Sequence, residues 1–111
     1  MRVHQNGLKP RGELHAGVFR GRKGGMSTDW SRYATPEETR QRATSPPEHN
    51  GVVGLPVGGV REIQGLRVVH DPKDDNQAHT EVRGGVARAE VRLKLLRICE
   101  VLIAVPWPPE E

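Results

Sequence analysis

A chain of 111 residues with 34% hydrophobic and 4% aromatic content is one domain at most, with a thin core of about one sheet layer against a helix or two. No apolar run approaches the roughly 20 residues that span a bilayer, and no apolar h-region follows the basic residues near the start, so the expectation is an unsecreted, cytoplasmic protein without a membrane segment. The single cysteine, Cys99, excludes an internal disulfide and a multi-cysteine zinc knuckle; in its apolar run it reads as a small buried hydrophobe.

The net charge of +3 is unevenly spread: residues 1–25 carry +5 and the remainder −2. Basic character therefore belongs to the leader and not to the expected fold. That leader has only Val3, Leu8, Leu14, Val18 and Phe19 as sizeable apolar residues, at no sustained period and among six glycines. Such a stretch is expected to stay disordered, because it offers too little burial to offset the entropy of ordering. Two readings of it stand side by side. Arg20-Gly21-Arg22-Lys23 resembles part of an RNA-binding Arg-Gly segment, so any nucleic-acid contact is expected through this leader. Alternatively, Met26-Ser-Thr-Asp-Trp reads as a protein start, and Lys23-Gly24-Gly25 can be encoded by a ribosome-binding sequence, which would make residues 1–25 upstream translation.

Thr35-Pro36-Glu37-Glu38 predicts a helix start at Pro36, with Thr35 as N-cap and Glu38 returning a hydrogen bond to it. The helix must end before Ser45-Pro46-Pro47 and lies on the surface, with Trp30 and Tyr33 anchoring the segment ahead of it. Asn50-Gly51 marks a turn. The β-branched run Val52, Val53, Leu55, Val57, Val60 and Ile63 then predicts one or two short strands broken near Gly58-Gly59. Those glycines belong to turns or bulges, since no GxxxxGK[ST] pattern accompanies them.

Leu66–His70 and Ala78–Val82 predict two strands flanking Asp71-Pro72-Lys73-Asp74-Asp75-Asn76-Gln77, a segment saturated with turn formers. The candidate chemistry lies here: His70, Asn76 and Thr80 as catalytic candidates, and Asp71, Asp74, Asp75 and His79 as ligand-binding candidates. Register tests a two-histidine metal site. Pairing His70 with Thr80 gives the cleanest apolar face, with Leu66, Val68 and His70 beside Ala78, Thr80 and Val82, and it sends His79 to the other face with Arg67, Val69, Glu81 and Arg83. The histidines then point apart, and no metal or other cofactor is expected. His70, ending the inward row, is expected to be the more costly of the two to remove.

His70, Pro72, Asn76, Ala78 and His79 resemble the His-x-Pro and Asn-x-Ala-His element of certain small uncharacterised bacterial proteins, over about Asp29 to Val105. The resemblance implies no activity.

Gly84-Gly85 releases the chain from the second strand. Val91, Leu95, Ile98, Cys99 and Leu102 then recur at helical spacing, predicting the main core helix; Val101–Val105 reads as a final strand and Pro106-Trp107-Pro108-Pro109 as an extended tail over residues 107–111. The expected fold is α+β, with a mainly antiparallel sheet of three or four strands on the C-terminal helix over residues 26–106. The leading functional expectation is a bacterial protein-interaction module without catalysis, whose partner is another protein or a second copy. The alternatives are a small hydrolase or nucleotide-acting enzyme using the His70–Thr80 loop, and weak nucleic-acid binding through the leader.

Overall fold

The structure is a computed structural model that describes residues 1–4, 14–21, 25–42 and 46–106. Its elements, in chain order, are β1 (Arg2–His4), β2 (Gly25–Asp29), α1 (Pro36–Gln41), β3 (Asn50–Gly54), α2 (Val57–Glu62), β4 (Arg67–His70), β5 (His79–Arg83), α3 (Ala89–Ile98) and β6 (Glu100–Ile103), with single 3-10 turns at Ala16–Val18 and Pro47–His49. The class is α+β and all strand pairs are antiparallel, as the patterning predicts. Among the described residues the strands divide into two sheets of three, in the orders β1-β3-β6 and β2-β5-β4.

The β4–β5 hairpin adopts the register that its apolar face dictates, with Val68 opposite Val82 and His70 opposite Thr80. Strand β2 extends the same rows on the other side of β5, setting Met26 against Val82 and Thr28 against Thr80. In the β1-β3-β6 sheet, pairing of β3 with β6 shifts between Val52 and Val53. A bulge of this kind lets two consecutive side chains escape strict alternation, and both valines are buried.

Helix α1 starts where its capping box places it: Thr35 Oγ1 accepts from Glu38 N, and the Glu38 carboxylate accepts from Thr35 N. The stretch after β3 differs from the sequence expectation. Val57–Glu62 is a helix, in spite of Gly58-Gly59. Val57, Val60 and Ile63 recur every three residues, and turning the chain buries Val60 and Ile63 in the core. Gly59 permits that packing, because a Cβ there would stand 3.2 Å from Ile98 Cδ1 and 3.3 Å from Pro56 Cγ. Tertiary burial thus outweighs the roughly 1 kcal/mol that each glycine costs a helix.

The segment 1–25 also differs from expectation in its described parts. Met1 pairs with Val53 through both backbone groups, at 2.8 Å each, and continues the β1–β3 ladder. Val3 and Phe19 are buried within the same cluster as Val53, Val91 and Leu95. Met26 sits inside β2 and is also buried. The thin apolar content of the leader understated its part in the fold, since Phe19, the only phenylalanine, is fully covered. Residues 5–13 and 22–24, which carry Lys9, Arg11, Arg22 and Lys23 of the proposed basic arm, lie outside the described residues.

Helix α3 supplies Val91 and Leu95 to the core. Cys99 follows it, half-buried, its thiol donating to Leu96 O, and burial pushes its pKa up. Among the described residues no helix is long and apolar enough to cross a membrane. The tail residues 107–111 lie outside the described residues.

Candidate functional site

The turn between β4 and β5 is closed by reciprocal backbone hydrogen bonds between Lys73 and Asn76, leaving Asp74 and Asp75 exposed at its tip. Asn76 then clamps the turn to the rest of the sheet. Its Nδ2 donates to Asp29 Oδ1 at 2.8 Å and its Oδ1 accepts from Ala78 N at 3.1 Å. Asp29, at the end of β2, also accepts from Thr39 Oγ1 on α1 at 2.7 Å and from Arg42 at 2.6 Å. Burial alone would raise the Asp29 pKa, but donation from Asn76, Thr39 and Arg42 outweighs it and holds the carboxyl below the usual range. Sequence reasoning missed Asp29. Its three partners, Asn76, Thr39 and Arg42, come from the β4–β5 turn and from α1 with its C-cap, and no local spacing announces them.

His70 ends β4 at the surface rather than under the core. The row Leu66–Val68–His70 runs outward, from buried Leu66 to exposed His70. The imidazole stacks on Tyr33 (centroids 5.5 Å apart, 12° between planes) and meets the edge of Trp30 at 5.0 Å, while its Nε2 lies 2.8 Å from Gln77 O. Arg32 covers both aromatic rings, its guanidinium carbon 5.7 Å from Trp30 and 5.6 Å from Tyr33. Trp30 and Tyr33 therefore anchor the segment against His70, and Tyr33 stays largely exposed. Thr80 is buried, its hydroxyl donating to Ala78 O at 3.0 Å, and its carbonyl accepts from Thr28 Oγ1 at 2.9 Å. The three catalytic candidates are each engaged in structural contacts and not with one another: Gln77 and the aromatic pair for His70, Asp29 and Ala78 N for Asn76, Ala78 O for Thr80.

The other face of the hairpin gathers a different set. Asp71 N donates to His79 O at 2.9 Å, so the ladder continues one step beyond β4 and places Asp71 beside His79. His79 Nε2 lies 3.8 Å from Asp71 Oδ2 and 3.4 Å from Glu81 Oε2. Lys73 pairs with Asp71 at 3.0 Å and Arg83 with Glu81 at 2.9 Å, and these hydrogen bonds hold both carboxyls below their ordinary pKa. His79 is thus the better-enclosed histidine, with a side chain 16% exposed, contrary to the ranking read from the sequence.

Between the two sheets lies an open cleft of about 740 Å³. Val68 and Val82 line it from one sheet, Val52, Val53 and Leu102 from the other, and Val60 and Ile98 from the helices. Trp30, His70 and Glu100 also line it. Strand β6 has one strand neighbour among the described residues, β3, so its far edge is free of strand pairing there. Along that edge Val101 is 57% and Leu102 46% exposed. No protein-family model, curated protein or solved structure matches this chain, so its chemistry rests on this geometry alone.

Proposed function

We propose that this protein is a non-catalytic interaction module that receives an extended apolar segment of a partner polypeptide along β6, with alternate side chains entering the cleft. The observation that carries this reading is the edge of β6 that has no strand neighbour among the described residues, the strand bearing Val101 and Leu102 on opposite faces. Edge strands are commonly guarded by charge, and β6 carries one charged residue, Glu100, at its start. An added strand would satisfy the open backbone groups, and every second residue would lie over the Leu102 side of the sheet, where the cleft opens. A basic residue flanking the apolar run would meet Glu100. Trp30, which also lines the cleft, and its neighbours Tyr33 and Arg32 are of the residue types that dominate binding energy at protein interfaces.

Binding is favoured over bond-making by how the polar groups around the cleft are employed. The hydroxyls of Thr28 and Thr80 donate to backbone carbonyls, and the Asp29 carboxylate serves three donors. A nucleophile with an adjacent free base does not emerge from them.

Selection of a random displayed peptide library on the full chain tests this. The expected result is enrichment of sequences with apolar residues at alternate positions, whose binding falls at least tenfold in Leu102→Glu and Val101→Glu and is unchanged in Leu93→Glu on α3. Absence of enrichment, or binding that Leu93→Glu removes and Leu102→Glu spares, would overturn the reading. If sedimentation shows a dimer that Leu102→Glu dissociates, the occupant is a second copy and the hetero-partner is ruled out.

A further inference from the structure

We propose that Asp71, His79 and Glu81 form a zinc site on the face of the β4–β5 hairpin opposite the cleft. It is independent of the interaction at β6. Three observations carry it.

The first is geometric. Zinc holds nitrogen and oxygen ligands at about 2.0–2.2 Å, so neighbouring ligand atoms of a tetrahedral ion stand roughly 3.4 Å apart. His79 Nε2 stands 3.4 Å from Glu81 Oε2 and 3.8 Å from Asp71 Oδ2, and all three atoms lie within 4.8 Å of one another. Modest side-chain rotations bring them onto one ion. The second is rigidity. His79 and Glu81 are two residues apart on β5 and so share a face, while the Asp71–His79 backbone hydrogen bond fixes the third ligand opposite. Ligands held on paired strands need little reorganisation on binding.

The third is how the competing cations sit. Arg83 Nε binds Glu81 Oε1 and leaves Oε2 directed at His79, so it orients this ligand in the manner of an outer partner. Lys73 does occupy Asp71 Oδ2, but its side chain is 53% exposed and an exposed ion pair contributes little, so an arriving dication displaces it readily. One imidazole and two carboxylates suit zinc better than magnesium or calcium, which favour all-oxygen shells, and they leave a fourth position open to water.

Calorimetric titration of the full chain with zinc in a chelator-free buffer tests the site. One equivalent should bind, His79→Ala and Glu81→Gln should each weaken it at least tenfold, and His70→Ala should leave it unchanged. Glu81→Gln keeps the shape of the side chain, and its metal-free melting curve shows whether the fold is intact if His79→Ala unfolds. No heat with zinc, undiminished binding in either ligand variant, or loss of binding in His70→Ala would each overturn the proposal. Magnesium at the same concentration should give no heat, and equal binding of magnesium would reduce the cluster to a non-selective acidic patch.

Discussion

Asp29 shows how one residue decides the placement of a loop. Its carboxylate joins β2, α1 and the β4–β5 turn, and removing its charge should weaken all three connections at once. Asp29→Asn is expected to destabilise by about 1–3 kcal/mol at neutral pH, as for loss of hydrogen bonds to a charged, largely covered group. The pH dependence follows from the lowered pKa. A carboxyl whose folded pKa is depressed contributes stability above its unfolded value, about 3.9, and loses it as pH falls through the lower folded value. Urea midpoints between pH 7 and pH 2.5 should therefore fall further in the unaltered chain than in Asp29→Asn; equal falls would show that Asp29 is not the titrating link. The two histidines complete this scale. Opposite faces for His70 and His79 were legible from the register, but the meeting of Asp71 with His79 and Glu81 was not, because Asp71 reads as the first turn residue while the ladder in fact runs one step past β4. Their burial was not legible, since an inward row can run past the limit of the core, as Leu66, Val68 and His70 do.

Among the elements, those with local chemistry were readable and those ruled by distant packing were not. The Thr35 cap and Glu38 return bond follow from four adjacent residues, and Thr35→Ala should cost about 1 kcal/mol, measured by thermal or urea unfolding. Helix α2 was read as strand because its β-branched residues and two glycines argue locally against a helix, while the burial of Val60 and Ile63 is a tertiary gain. Gly84 joins local and distant causes. Its φ of +116° favours glycine, and a Cβ there would collide with the Gly65 carbonyl oxygen, itself on a residue with φ of +89°. Gly84→Ala should destabilise by about 1–3 kcal/mol or more, with the loss centred on the β4–β5 hairpin. A neutral effect on the unfolding midpoint would mean that the two strand ends do not approach so closely.

At the scale of the molecule, the described parts of the N-terminal segment add β1 to the β1-β3-β6 sheet and put Val3 and Phe19 into the core. Composition hid this, because a few well-placed apolar residues suffice when each is fully covered. Phe19→Ala should destabilise by about 3–5 kcal/mol, measured by urea unfolding, whereas a loss under about 1 kcal/mol would leave the segment outside the core. The two-sheet architecture itself was not readable, since strand patterning sets faces and registers within a hairpin but does not say which hairpins join. That division matters for function. Among the described residues it leaves β6 as an edge, with Leu102 lining the cleft. Amide hydrogen exchange by NMR, with and without a saturating peptide of alternating apolar residues selected on the full chain, tests the central claim most directly. Amides of Glu100–Ile103 directed away from β3 should slow at least tenfold, while those along α3 should not change. Unchanged exchange in β6, with protection appearing on α3 instead, would contradict it.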